Sequence, residues 1–309
     1  MNGQNHHDLS SQPWTILRLI RWTTDYLADK GVPKPRLDAE VMLASLLGLK
    51  RVDLYLKYDQ PLNQKELAGY RKMVRRRADR EPVAYIVGRK EFFGLELKVD
   101  PRVLIPRPET ELLVDEALRL AGEKWSAPDG QKSVPINIID LGTGSGAIAL
   151  ALAAQLPSAS IWALEISESA LEVARENAGR FESGLRIRLA QSDLFSAVSD
   201  QAEFFHLILA NLPYVPEKFF SEMDPDVRNF EPRQALDGGE DGLVFIKRAI
   251  IQARPLLKSG GALILEIWHT SASQIEKYAH EYGYGDVRII KDPAGHDRVA
   301  VLMKTNGGG

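Results

Sequence analysis

The sequence contains no cysteine, which removes disulfides, thiolate metal sites and thiol nucleophiles from consideration together. Histidine is scarce, six scattered residues in 309, so a zinc centre lacks ligands and no metal site is expected. No long apolar run is present. The longest, such as Ile148 to Leu156, falls well short of the roughly 20 residues a membrane helix needs, and the first residues lack the basic-then-apolar pattern of a secretory signal. Net charge is nearly absent as well. A formal charge of −3 provides no global attraction to nucleic acid, so stable nucleic-acid binding is not expected and only a local patch could supply it. The chain reads as a cytoplasmic protein, with no signal for association beyond a monomer.

What is present is an ordinary globular composition, 44% hydrophobic and 26% charged over 309 residues, which favours one large domain and one smaller one. The polar segment Met1 to Gln12 and the closing Gly307 to Gly309 are expected to be disordered and are left out of the fold. From Trp14 to Arg80 apolar residues recur at helical spacing (Ile16, Leu19, Ile20 and Thr23, then Leu37, Val41, Ala44 and Leu47), with breaks at Gly31 to Pro35 and Asp59 to Pro61. This predicts a small helical domain over 13–88. Glu91 to Val99 alternates like a strand, Asp100-Pro101 offers a turn, and Val103 to Ile105 can return as a second strand, giving a hairpin linker over 89–108. A third part, 109–304, opens with a helix from Glu109 to Leu120 and continues as short apolar strands alternating with helices. Seven strands are countable there, starting at Ile136, Ser160, Arg186, Leu207, Ala262, Val287 and Arg298. Strand-helix alternation predicts a parallel sheet covered on both faces; the last two strands are too close for a helical crossover and should pair antiparallel.

Asp140-Leu-Gly-Thr-Gly-Ser-Gly146 follows an apolar strand and opens a helix, so Gly142, Thr143, Gly144, Ser145 and Gly146 can bring backbone amides close to a ligand. Dinucleotide enzymes use a related loop, and a plain turn is the bland reading. The next strand ends at Glu165, whose carboxylate can take both ribose hydroxyls of an adenosyl group or simply cap the helix that starts near Ser167. Asp193-Leu194 ends the third strand, where an acceptor and an apolar side chain suit adenine, although Asp there is also ordinary turn chemistry. The fourth strand runs into Asn211-Leu212-Pro213-Tyr214. The Asn211 side-chain carbonyl and the backbone carbonyl after it can accept the two hydrogens of an amino or amide group, with Tyr214 as a flat wall; an Asn-Pro turn leaving a strand is the alternative.

Taken together, the segments Arg80-Glu-Pro-Val-Ala-Tyr-Ile-Val-Gly88, Glu91-Phe-Phe-Gly94, Val103-Leu-Ile-Pro-Arg-Pro-Glu-Thr-Glu111, Gly142 to Gly146 and Asn211 to Tyr214 resemble the protein-(glutamine-N5) methyltransferases that modify peptide chain release factors. The resemblance covers nearly the whole chain, and its most specific part is the run ending at Glu111. It implies an α/β fold: a seven-stranded, Rossmann-like class I S-adenosylmethionine-dependent methyltransferase, with a small N-terminal helical domain for substrate recognition and a β-hairpin linker. It further implies S-adenosyl-L-methionine held by Gly142 to Gly146, Glu165, Asp193, Leu194 and Asn211. Class I release factors would be the protein substrate, the glutamine of their Gly-Gly-Gln loop being held by Asn211, Leu212, Pro213 and Tyr214. Arg107 and Glu109 are expected to shape the cofactor pocket. Two positions depart from the family pattern: Leu212 where Pro is usual, and Glu165 where Asp is common. Leu212 still offers its backbone carbonyl but lacks the ring that restrains it, so weaker preorganisation is expected.

Two other readings stand beside this one. Asn-Leu-Pro-Tyr is also similar to the tetrapeptide of ribosomal RNA adenine dimethyltransferases, and the basic segment Arg71, Lys72, Arg75, Arg76, Arg77 and Arg80 could touch RNA or be a solvated helix face. The other is a silent cofactor-binding module, against which the intact glycines and Asn211 count. Asp237 to Gly242 reads as a loop before a helix, and Trp268-His269 as pocket wall or plain structure.

Overall fold

Helices in the N-terminal region start where side chains satisfy the first free amides. Thr15 accepts from the Arg18 amide at 3.4 Å, and Asn63 and Glu66 form a reciprocal pair at 2.9 and 2.8 Å. In the computed structural model, which describes residues 13–125 and 134–305, the helices that follow are α1 (Ile16–Asp29), α2 (Pro35–Leu47), α3 (Arg51–Leu56), α4 (Gln64–Ala78) and α5 (Val83–Val87). A hairpin, β1 (Arg89–Phe92) and β2 (Leu95–Lys98), comes next. Then come α6 (Glu111–Trp125), β3 (Asn137–Leu141), α7 (Ala147–Gln155), β4 (Ser160–Glu165), α8 (Glu168–Ala178), β5 (Ile187–Gln191) and β6 (Phe205–Ala210). The chain closes with α9 (Pro225–Phe230), α10 (Val244–Leu256), β7 (Leu257–Glu266), α11 (Ala272–Glu281), β8 (Asp286–Lys291) and β9 (Asp297–Met303). The terminal segments set aside on sequence grounds, Met1 to Gln12 and Gly307 to Gly309, lie outside the described residues.

Contacts divide the chain into two units. One runs to Gly88 and also takes Pro225–Phe230; the other holds Arg89–Asp224 and the chain from Glu231 on. The hairpin thus groups with the sheet-bearing unit, and α9 with the helical one. In the helical unit Ile16, Leu27, Met42, Leu43, Leu54 and Tyr70 form a dry core, and the Tyr70 hydroxyl donates to the Ala39 carbonyl at 2.9 Å. The apolar stripe expected on α2 is met in part, with Ala44 in this core and Leu47 packed against it. Leu37 is exposed while Ala39, Met42 and Leu43 point inward, because the helix is apolar on more than one side and its packing against α1 and α4 decides which side is covered.

The sheet-bearing unit is built on seven strands in the order β5-β4-β3-β6-β7-β9-β8, the first five parallel and β9 antiparallel to both β7 and β8. Alternation assigns the faces. Ile138, Leu207 and Ile264 enter the core under α6 and α7, whereas Ile139, Ile208 and Leu263 enter the one under α10 and α11. β6 is buried at all six positions, as a central parallel strand must be.

The hairpin corrects the expected one. Its turn is Phe93-Gly94, both with positive φ (50° and 76°), and Val103 to Ile105 form no strand. Two consecutive positive-φ residues match the right-handed twist of the flanking strands, so a two-residue turn closes inside what reads as one long strand.

Candidate active site

β3 and β6 are neighbours in the sheet with Leu141 opposite Ala210, so Gly142 and Asn211, the next residue of each, emerge side by side at the carboxyl edge. This is where the strand order reverses: β4 and β5 lie to one side of β3 and β6 to the other, which opens a crevice at that edge. One cavity occupies it, lined by Gly142 to Ser145, Glu165, Asp193, Leu194 and Asn211 to Pro213, with Val103, Leu104, Pro106 and Thr110 from the run after the hairpin, and Phe245 from α10. Gly146 and Tyr214 are not among the lining residues. Gly146 caps α7 at φ 84°, and a Cβ there would lie 3.6 Å from Ala174, so its place is helix packing.

The glycine loop is held from behind. Asp140 is wholly buried and accepts from the Thr143 hydroxyl at 2.6 Å and the Ala149 amide at 3.0 Å; burial pushes its carboxyl up to about 7. Gly142 sits at φ 73°, and a Cβ there would come 3.3 Å from the Leu212 side chain. Leu212 is itself buried, so packing against the glycine loop restrains this peptide where a proline ring is absent. Glu165 takes the Gly144 amide on one oxygen and the Ser167 amide on the other, both at 3.0 Å, combining loop support with helix entry. Asp193 is not free: Arg248 of α10 holds both its oxygens at 2.9 and 3.0 Å.

The tetrapeptide is fixed by Thr110, from the run before α6, and by Glu266, which no local pattern singles out. The Asn211 Nδ2 donates to the Thr110 hydroxyl at 3.1 Å, Thr110 donates to Glu266 at 2.6 Å, and the Tyr214 hydroxyl donates to the other Glu266 oxygen at 2.7 Å. Glu266, at the end of β7, is 1% exposed. Burial holds its carboxyl above the usual range, opposed by the two hydroxyls and by Arg298. The Tyr214 phenol is pushed well up by burial and by the Glu266 charge. Its ring stands against Trp268, 6.2 Å between centroids, instead of walling the cavity. The glycine loop after Asp237 closes the other side: a Cβ on Gly238 would lie 2.8 Å from the Tyr214 backbone. Three glycines in six residues were the available signal there.

Arg107 and Glu109 do not line the cavity. Arg107 is paired with Glu231, a 5%-exposed carboxylate that also accepts from the Ile105 amide at 3.1 Å, so the pair anchors the Val103 to Glu111 run. No local pattern marks Glu231. Half of the basic segment that runs through α4 to Arg80 is committed too. Arg77 is buried between Asp38 (2.6 Å) and Asp226 (2.7 Å), Arg80 pairs with Asp226, and Arg76 with Glu81. Arg71, Lys72 and Arg75 are exposed, so the segment divides into a paired part and a solvent-facing part.

The class follows from the fold and is matched by comparison. The family described as methyltransferase domain matches residues 138–225. A solved structure, the N-terminal domain of human METTL16 in complex with SAH, covers 99% of each chain at a TM-score of 0.52 and 18% identity, a likeness of fold. The protein is of the class I methyltransferase fold. Residues 18–88 match the family described as PrmC N-terminal domain. The release factor glutamine methyltransferase of Geobacter sulfurreducens is 43% identical over 286 residues, 93% of this chain and 95% of that protein. Its counterpart in Rhodopirellula baltica is 40% identical over 294 residues, 94% of this chain and 97% of that protein. The chain belongs to the release factor glutamine methyltransferase family.

Proposed function

We propose that this protein transfers one methyl group from S-adenosylmethionine to the side-chain amide nitrogen of the glutamine in the Gly-Gly-Gln loop of class I peptide chain release factors. The observation that carries it is the emergence of Asn211 beside Gly142 from adjacent parallel strands into one cavity, in a chain of this family. The donor set suits the cofactor. Glu165 keeps lone pairs for ribose hydroxyls after accepting two amides, Leu194 and Phe245 are apolar cavity walls suited to adenine, and the loop from Gly142 to Ser145 lines the same cavity. Asp193, steadied by Arg248, still has lone pairs for an amino group.

S-adenosylmethionine supplies a methyl activated on a sulfonium. What remains for the protein is positioning and exclusion of water, which carry most of the rate in such a transfer. The Asn211 Oδ1 and the Leu212 carbonyl take the two amide hydrogens, raising electron density on a nitrogen whose lone pair is otherwise delocalised into its carbonyl. Tyr214 and Pro213 hold that turn in place. The proton lost from the methylated nitrogen passes to water or to a neighbouring carbonyl, so no dedicated base is needed.

In this reading 13–88 is the substrate-recognition domain, 89–108 the linker and 109–304 the catalytic domain, in a monomer acting in the cytoplasm, where its substrate serves translation. Incubation with labelled cofactor and a release factor tests it: label enters the wild-type substrate and not its Gln→Ala form, and equal labelling of both overturns the reading. Asn211→Ala abolishes transfer while calorimetry still records cofactor binding; loss of both together contradicts a substrate-side role.

A further inference from the structure

We propose that Glu266 and Thr110 are positioning residues that set which end of the Asn211 amide faces the substrate, and thereby make the site select a glutamine amide over the isosteric glutamate carboxylate. The inference rests on the glutamine reading above and adds the residues that enforce it.

The number of protons available fixes the orientation. A carboxylate only accepts, and Glu266 meets one hydroxyl on each oxygen: Tyr214 at 2.7 Å and Thr110 at 2.6 Å. Burial raises this carboxyl while the two hydroxyls and Arg298 oppose the rise; it is the geometry, one hydroxyl aimed at each oxygen of a group 1% exposed, that makes Glu266 the acceptor of both. A hydroxyl has a single proton. That of Thr110 is committed to Glu266, so at its 3.1 Å contact with Asn211 it can only accept, and the donor must be Nδ2. The Asn211 carbonyl is therefore the end left for the cavity that Asn211 lines. A buried charge thus polarises a side chain two hydrogen bonds away. The consequence is selectivity between groups of equal size. An amide NH2 brings hydrogens to that carbonyl; a carboxylate brings lone pairs against it, and a site built to accept hydrogens discriminates strongly against a group that has none.

Substitutions that change the count should change the preference. Thr110→Val keeps the shape and removes both the acceptor for Nδ2 and the donor to Glu266. Glu266→Gln replaces one acceptor with an NH2; facing Thr110, it frees that hydroxyl to donate and lets the Asn211 amide turn over. Thr110→Ser preserves the count.

The test is binding of a release factor with its reacting Gln, and of the same factor with Gln→Glu, to the full chain loaded with S-adenosylhomocysteine, together with kcat and KM on the Gln form. The wild type is expected to prefer Gln by at least tenfold. Thr110→Val and Glu266→Gln should each cut that ratio by about tenfold, the equivalent of one hydrogen bond. KM should rise and kcat fall, cofactor affinity should stay within about twofold of wild type, and Thr110→Ser should restore the ratio. A folded, cofactor-binding Thr110→Val with the wild-type ratio overturns the inference, as does a Thr110→Ser that behaves like Val, or a wild type that methylates Gln yet binds Glu equally well. A wild type that methylates no release factor removes the functional reading itself, and the inference with it.

Discussion

Tyr214→Phe deletes one oxygen and leaves the ring, so it isolates the bond between Tyr214 and Glu266. In the native protein that hydroxyl donates at 2.7 Å to a carboxylate that is 1% exposed, and no water can replace it at once. Losing a hydrogen bond to a buried charged group costs about 1.5–3 kcal/mol. For a unit of this size each kcal/mol moves the midpoint by roughly 2–4 °C, so melting should fall by about 3–12 °C at alkaline pH. The pH dependence has a definite sign. Burial already raises the Glu266 carboxyl above its ordinary value, and removal of a donor raises it further. A folded state that holds this proton more tightly than the unfolded chain gains stability at low pH and loses it as pH rises through the folded value. The deficit of the variant is thus largest where Glu266 is ionised and shrinks on acidification. Calorimetric melts of both proteins across pH 5–9 measure it. Equal midpoints at pH 9, or a deficit that widens toward pH 5, would refute the reasoning.

Gly238→Ala places a Cβ 2.8 Å from the Tyr214 and Gly242 backbone, so overpacking of about 1–3 kcal/mol should appear in denaturant titration together with a drop in kcat, because the displaced backbone is that of the tetrapeptide. Arg77→Met takes the cation from Asp38 in a partly buried site while Asp226 keeps Arg80; a loss of about 3 kcal/mol is expected in the helical unit, read as early proteolysis there with cofactor binding retained. His206 is buried, accepts the Asn137 amide at 3.0 Å and is held down to about 4 by burial and by Lys258. Its folded value lies below the ordinary one, so its contribution is intact above about 6.5 and lost as pH falls toward 4; the acid limb of a stability profile should shift down in pH in His206→Gln.

The strands of the sheet were legible because alternation and apolar runs are written in neighbouring residues: β6 reads as a strand in any window that contains it. The hairpin was misread for the same reason, since a two-residue turn at Phe93-Gly94 hardly interrupts the local pattern. The α2 stripe is legible only in part, at Ala44 and Leu47 and not at Leu37, because a helix with apolar residues on several sides does not record which side a neighbour will cover. The α4 cluster showed its charge but not its partners, which lie as far off as Asp226.

Asn211 with the residues after it is visible in the sequence as a strand ending in two carbonyl acceptors, and with the Gly142 loop it is enough to point to a cofactor and a planar nitrogen. Sequence by itself determined that much, because loop and tetrapeptide are each continuous stretches whose backbone chemistry travels with them. Only the tertiary structure decided which way the Asn211 amide faces and what holds it. Thr110 and Glu266 are 156 residues apart, and Tyr214 and Glu266 52, distances over which no periodicity survives and which only the folded chain closes.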